Sequence, residues 1–273
     1  MAPFLHVCFG KFDFSHKMFE RGVKVKAKRK GKATALIFFL LFVPSILFAE
    51  QRFIEYDNWY DLKSLSGSKI GYYNVKVFPT KYNGNQVYKL EGIFHITINS
   101  ILSKYIFHST DWVIIDDRGV LVYEINENDN GKVRITKASR KKDVMEIKIY
   151  SVKDGPAIDK KSICTSDYDY TQFEMRFPIS FSDFKLGKAK QSRIFVPAKN
   201  IITRSEIMAK EIMQVKWNGE NKRVLVLEST SLENGKPGSK TTSWMLENGE
   251  LLFTQDRNYS VHLTTKEKAL GME

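Results

Sequence analysis

Regularly spaced turn sequences divide most of this chain into runs of strand length. Glycine and asparagine adopt the positive φ angles that tight hairpin turns require. The runs between the turns are rich in valine, isoleucine, tyrosine, phenylalanine and threonine, which favour strands. The turns after residue 50 are Ser66-Gly67-Ser68, Asn83-Gly84-Asn85, Asp117-Arg118-Gly119, Asp129-Asn130-Gly131, Asp154-Gly155-Pro156, Asn218-Gly219, Asn234-Gly235-Lys236-Pro237-Gly238 and Asn248-Gly249. The spacing predicts an all-β fold built as an antiparallel meander.

Several runs alternate apolar with mixed side chains. Residues 72–78 read YYNVKVF and residues 144–150 read VMEIKIY. A strand of this kind has one apolar face, which must be covered by another layer or by the sheet itself. After the N-terminal segment, no stretch other than residues 201–215, considered next, has the spacing of a helix that could act as the cover. We therefore expect one curved sheet that forms a closed or nearly closed barrel or sandwich.

One segment fits two kinds of secondary structure. Residues 212–217 read IMQVKW ahead of an Asn-Gly pair, which is typical of a strand entering a hairpin. Because the neighbouring runs are strands, we favour a strand here. A helix over 201–215 stays open, since residues recur at helical spacing: Ile201, Ser205, Met208, Ile212 and Val215.

Residues 155–169 are polar and have no periodicity. We expect a long connection here, which divides the sheet into two halves. We expect that neither half can bury a sheet face alone. Residues 50–273 are therefore predicted to be a single domain.

The N-terminal segment has the features of a secretion signal. The apolar run Ala33–Ala49 is 49 − 33 + 1 = 17 residues long, follows a lysine-rich stretch and ends in a small residue. Residues 1–49 are therefore predicted to be a signal peptide with a helical core, cleaved after Ala49, with Met18 as a possible true start. Cleavage would leave no permanent membrane span. The alternative is an uncleaved anchor in an inner membrane, and both readings place the domain in the periplasm.

The remaining charge is modest. The chain carries 43 Lys and Arg against 31 Asp and Glu, and residues 1–49 hold nine and two of these, so the mature charge is (43 − 9) − (31 − 2) = +5. This value gives no reason to expect a nucleic-acid partner. Once Cys8 is removed with the leader, Cys164 stands alone and no intramolecular disulfide is possible.

The sequence shows no catalytic motif. After residue 50 the histidines are His95, His108 and His262, and no Gly-x-Ser-x-Gly elbow accompanies them. We therefore predict a non-enzymatic protein with no cofactor and no metal. Two alternatives have less support: a metal cluster around His108, Asp111, Asp116 and Asp117, and a glycosidase acid pair from Asp167, Asp169 and Glu174.

Large aromatic side chains are the remaining signal. The plain interpretation is that they fill the core of a single sheet. The sharper one is that some of them line a concave apolar cavity that binds a ligand. The candidate lining residues are Trp59, Tyr72, Trp112, Tyr123 and Trp244.

Several short motifs resemble those of a group of exported bacterial proteins known only as domains of unknown function. The likeness includes LSGSKIGY at 65–72, NDNGK at 128–132, MRFPI at 175–179 and the hairpins that contain Trp112 and Trp244. It covers most of residues 53–263. The resemblance implies a periplasmic all-β domain with a curved sheet similar to lipoprotein-carrier (LolA-like) folds. It implies no reaction, and it supports a strand over 201–215.

Three functions remain open at this point. The first is a periplasmic protein that binds or carries an apolar, lipid-like or amphipathic envelope molecule. The second is an envelope module that holds a protein partner through exposed strand edges or loops. The third, and least supported, is an enzyme that acts on cell-wall or surface polysaccharides.

Overall fold

A computed structural model describes residues 55–99, 103–152, 155–176, 181, 184–233 and 236–272. The described residues contain fifteen strands, two 3₁₀ helices (Thr165–Asp167 and Glu174–Arg176) and one α-helix, α1 (Lys266–Leu270). In chain order the strands are β1 (Tyr56–Ser64), β2 (Lys69–Tyr82), β3 (Asn85–Asn99), β4 (Lys104–Asp116), β5 (Gly119–Asp129), β6 (Lys132–Lys141), β7 (Val144–Tyr150), β8 (Asp159–Cys164), β9 (Tyr170–Thr171), β10 (Ala189–Val196), β11 (Ile201–Trp217), β12 (Glu220–Glu233), β13 (Lys236–Leu246), β14 (Leu251–Gln255) and β15 (Tyr259–Thr264).

All fifteen described strands belong to one sheet, in the order β8-β7-β6-β5-β4-β3-β2-β1-β15-β14-β13-β12-β11-β10-β9. The first eight strands form one meander and the last six form another. The two meanders join where β1 pairs with β15. Neighbours are antiparallel, except for the parallel pair β9 and β10. The prediction of an all-β antiparallel meander is confirmed.

The chain itself forces the sheet to curve. In a flat sheet of this order, β8 and β9 would lie about 65–70 Å apart, since adjacent strands are spaced by about 4.8 Å. Yet only residues 165–169 connect them, and five residues reach about 20 Å at full extension. The two edges must therefore be brought close together. Among the described strands, β8 and β9 do not pair with each other, so the curved sheet is nearly closed.

The predicted turns form as the Asn-Gly pairs indicate. Asn83 and Gly84 have φ of 50° and 81°, and Asn130 and Gly131 have 51° and 91°. In a two-residue hairpin loop of type I′, both residues take positive φ, which matches the twist of the flanking strands. The connection predicted for residues 155–169 does link the two meanders, although part of it forms the edge strand β8.

The segment with two interpretations is a strand. Residues 201–217 form β11, which pairs with β12 along most of its length and with β10 at its start. Alternate residues of its first half are buried on one face: Thr203, Ser205, Ile207 and Ala209. The prediction of a strand is confirmed, because two neighbouring strands satisfy its backbone and the period of burial is two.

One face of the sheet carries the apolar core. Cross-strand neighbours such as Tyr60 and Tyr73, and Tyr73 and Phe94, lie in register on this face. The segment after β9 packs on the same face, where the Phe173 ring lies 5.2 Å from the Tyr123 ring. Phe173 is fully buried. The chain therefore fills the inside of its own curved sheet with residues that follow the crossing between the two edges.

A buried ion pair fixes this inner segment to β4. The Arg176 guanidinium donates to both carboxylate oxygens of Asp111, at 2.7 and 3.0 Å, and each side chain is 1% exposed. The guanidinium carbon also lies 5.7 Å from the centre of the Tyr73 ring. Gly92, opposite Asp111 on β3, leaves the necessary space, since a Cβ there would lie 2.7 Å from the Asp111 carboxylate.

The predicted signal peptide, including its helix, the Met18 start and the Ala49 cleavage site, lies outside the described residues. Within the described ranges, no helix has the length and apolar character needed to cross a bilayer.

Replacing Asp111 with Ala should lower the free energy of unfolding by about 3–5 kcal/mol, because it leaves the buried Arg176 cation without its partner. Urea unfolding of both proteins measures the difference.

The control is Glu247→Ala, which removes the exposed ion pair between Arg223 and Glu247 and should cost less than about 1 kcal/mol. The double variant Asp111→Leu/Arg176→Met should recover part of the loss, because it removes both charges. If Asp111→Ala and Glu247→Ala lower the free energy of unfolding by equally small amounts, the buried ion pair does not anchor the segment after β9.

Candidate binding surface

Polar and charged side chains form a second group on the inner face, beside the ion pair. Ser109, Glu127 and Arg134 lie opposite one another on β4, β5 and β6. Glu127 is only 7% exposed, and burial raises its pKa to about 7, while Arg134 and Lys199 oppose the rise. Lys199 belongs to the turn after β10, and its effect on Glu127 places that turn close to this cluster.

The opposite, outer face of the same strands carries an open groove. It has a volume of about 390 Å³ and lies across β4 to β7. Tyr123 and Ala138 also border it, although their side chains are buried in the core. The outward-facing side chains that line it are Trp112, Val122, Glu124, Lys137, Ser139, Lys141, Glu146, Lys148 and Tyr150.

Strand register determines which of these side chains are neighbours. Trp112 lies opposite Glu124, and Glu124 lies opposite Lys137. Lys137 in turn lies opposite Lys148, and Lys148 opposite Lys160 on β8. Residues directly opposite in antiparallel strands have Cβ atoms about 5 Å apart. A single row therefore runs from a half-buried indole at one end to three lysines at the other.

Two ion pairs in the groove neutralise part of this charge. Lys137 Nζ lies 3.1 Å from a Glu124 carboxylate oxygen, and Lys141 Nζ lies 2.8 Å from Glu146. All four side chains are partly exposed, so these pairs contribute little to stability. They leave the groove with an apolar part, formed by Trp112 and Val122, and a polar part that presents both signs of charge.

The five aromatic residues proposed from the sequence do not share one cavity. Tyr123 is in the core, whereas Trp112 is in the outer groove behind the same strands. Trp59 and Tyr72 are together, with their ring centres 6.0 Å apart on the outer face of β1 and β2. Trp244 packs separately against Phe253 on β14, at 4.8 Å. Whether any of them binds a ligand stays a prediction, and only Trp112 and Tyr123 border the groove.

The residues of the two alternative sites are held in other ways. Asp111 is buried against Arg176, while His108 is half-buried with its ring 5.8 Å from that of His95. Asp111 and His108 are three residues apart on β4, so their side chains point to opposite faces of the sheet. The structure therefore does not bring these two candidate metal ligands together. Among the possible acid pair, Asp169 binds Arg193 at 2.8 Å, and Glu174 accepts a hydrogen bond from the Thr171 backbone.

The groove contains residues that sequence reasoning missed. Lys137, Lys148 and Tyr150 line the groove and occupy the polar side of alternating runs, which indicates only that they face outward. Lys160 lies beside the groove on β8, in the polar run 155–169 that has no periodicity. Their juxtaposition depends on the register of five consecutive strands. The signal in the sequence was the turn between neighbouring strands, which fixes register once the turn type is known.

Comparison with known proteins supports the fold. No protein-family model matches the chain, and no curated protein matches it. Among solved structures, the chain is similar to a β-barrel-like protein of a domain of unknown function, DUF1849, from Brucella abortus. The TM-score is 0.54 at 11% sequence identity, over 79% of this chain and 98% of the other. This likeness shows a shared curved β architecture and carries no function with it.

Glu127 should make stability depend on pH. Its pKa is about 7 when folded, against an ordinary value of 4.5, so the folded state binds the proton more tightly than the unfolded state. Its contribution is therefore fully present below about pH 4.5 and is lost as pH rises through 7. Relative to the wild type, Glu127→Gln should gain stability over this window, on the order of 2–3 kcal/mol by pH 8.

Urea unfolding at a series of pH values measures this difference. Comparing the two proteins cancels the slope contributed by Asp256, whose pKa burial also raises, to about 6. A difference between the two proteins that stays constant from pH 4 to pH 8 would contradict the prediction.

Proposed function

We propose that this protein is a periplasmic, non-enzymatic protein that binds an amphipathic molecule of the cell envelope in the outer groove of β4 to β7. The observation that carries the proposal is the groove itself, where Trp112 and Val122 lie beside lysine and glutamate side chains. An aromatic surface next to charged groups suits a ligand that has both an apolar and a polar part.

The location of the groove suits binding with easy exchange. It is open to solvent and lies on the outer face, while the inner face is filled by the chain's own residues, including Phe173 and Arg176. A ligand held on an open surface keeps part of its own surface exposed. Such a ligand can be transferred to a partner without opening the fold.

Sequence features support the cellular location. The predicted signal peptide at residues 1–49 would direct the domain to the periplasm. The motifs quoted above are similar to those of exported proteins, with an implied likeness to lipoprotein-carrier folds. The solved neighbour from Brucella abortus adds only a barrel-like fold.

The first test is to express the full chain, collect the exported protein without detergent, and record its mass under native and denaturing conditions. A mass that begins at Glu50 and a bound amphipathic molecule, released by solvent extraction, would support the proposal. A mass that begins before Ala33 would contradict cleavage. A protein that never binds a short-chain phospholipid added below its micelle concentration would contradict ligand binding.

Trp112→Ala should weaken binding of such a phospholipid by about tenfold, which corresponds to the loss of one well-packed aromatic contact. Isothermal titration calorimetry measures it. Trp217→Ala is the matched control, because Trp217 is half-buried near the tip of the β11–β12 hairpin and should leave binding unchanged. Equal effects of the two changes would contradict a site in the groove.

A second candidate function is favoured by the β11–β12 hairpin. β10 pairs with β11 only as far as Met208, whereas β11 continues to Trp217. Beyond Ala209, the described residues include no strand on that side, and residues 210–212 are exposed. An open edge of this kind can receive an extended segment of an envelope protein. A photo-crosslinking residue at the exposed Gln214 should capture a defined partner in cells, and no repeatable product would count against this role.

A further inference from the structure

We propose that the ligand of the outer groove is an anionic amphiphile, whose phosphate or carboxylate group is received by the row of lysines Lys137, Lys148 and Lys160. This inference rests on the proposed function and names the chemical class of its ligand. It follows from strand register, which places the three ammonium groups on three adjacent strands.

The lysine row is unfavourable for the fold alone. Lys137 lies directly opposite Lys148, and Lys148 directly opposite Lys160. Like charges directly opposite in an antiparallel sheet destabilise the pairing. Two successive like-charge contacts in one row are therefore not explained by the stability of the sheet, but they suit an anion that bridges them.

The compensation of charge along the row is uneven. Glu124 pairs with Lys137 at 3.1 Å, and Lys141, on the same strand, pairs with Glu146. Lys148 and Lys160 are exposed, and within the described ranges neither has an ion-pair partner. The uncompensated positive charge is therefore concentrated at the β7–β8 end of the row.

The apolar end of the same row lies on β4. Trp112 is three strands from Lys148, which corresponds to about 14 Å at the usual strand spacing, and Val122 lines the groove beside it. An elongated molecule that crosses the strands can therefore place its apolar part on Trp112 and its anionic group at Lys148 and Lys160. Ammonium groups act as point charges toward phosphate and carboxylate, so the site selects charge rather than one headgroup shape.

The experiment measures binding of three probes to the exported chain by isothermal titration calorimetry. The probes are dihexanoylphosphatidylglycerol and dihexanoylphosphatidylcholine, both below their micelle concentrations, and inorganic phosphate. We expect the anionic lipid to bind about tenfold more tightly than the zwitterionic lipid, since each nearby lysine adds a favourable charge contact. Raising the NaCl concentration should weaken binding of the anionic lipid only.

Lys148→Glu/Lys160→Glu should abolish the preference for the anionic lipid, because it replaces the positive charge at the β7–β8 end of the row with negative charge. The matched control is Lys188→Glu/Lys216→Glu, which makes the same change in net charge at exposed positions outside the groove and should keep the preference.

The outcomes separate the two proposals. Equal binding of the two lipids, with Trp112→Ala still weakening both, would overturn the lysine assignment and leave the groove as the site. No binding of either lipid would overturn the proposed function. Inorganic phosphate could instead bind tightly in a way that depends on Lys148 and Lys160, with no added affinity from the lipid chains. That result would show that the ligand is a soluble anion and would overturn its assignment as an amphiphile.

Discussion

The short crossing from β8 to β9 is the constraint on which the rest of this structure depends. Residues 165–169 must join two edges that would be far apart in a flat sheet. The sheet can satisfy this limit only by curving until its edges approach each other. Curvature then gives it an inner face, and the chain that follows the crossing enters that inner space.

The residues that fill the inside of the sheet limit where the proposed ligand can bind. Arg176 lies fully buried against Asp111 of β4, and Phe173 packs on Tyr123 of β5. A charged side chain is expensive to bury unless it is paired, so the ion pair also specifies where this segment docks. With the inner face occupied by these contacts, the proposed site lies on the outer face of β4 to β7. The aromatic and charged residues of the groove are on that side.

Local signals in the sequence predicted a large part of this architecture. The Asn-Gly pairs at 83–84 and 130–131 form turns with positive φ at both residues, and alternation predicted strands with one buried face. The segment 201–217 was harder, because its spacing also fits a helix. Its pairing with β10 and β12 makes this segment a strand. Such pairing is tertiary information that periodicity does not contain.

Contacts between residues distant in the sequence could not be predicted in this way. Asp111 and Arg176 are 65 residues apart, and neither reads as a core residue from its type. The cationic row likewise brings together Lys137, Lys148 and Lys160 through two successive registers. In the sequence, Lys137 and Lys148 are ordinary outward-facing residues of alternating runs, and Lys160 lies in a polar run without periodicity. Residue type alone does not indicate which face a side chain is on, and the candidate aromatic residues are distributed over both faces.

The central claim is that recognition takes place on the outer face of β4 to β7. The chain has four tryptophans, at positions 59, 112, 217 and 244, and each gives one indole N–H signal in a ¹H–¹⁵N spectrum. The most direct measurement follows these signals while dihexanoylphosphatidylglycerol is added, with the Trp112 signal assigned from Trp112→Phe. The account predicts that the Trp112 signal shifts with saturation and that the other three stay in place. A shift at Trp59 or Trp244 with Trp112 unchanged would contradict it.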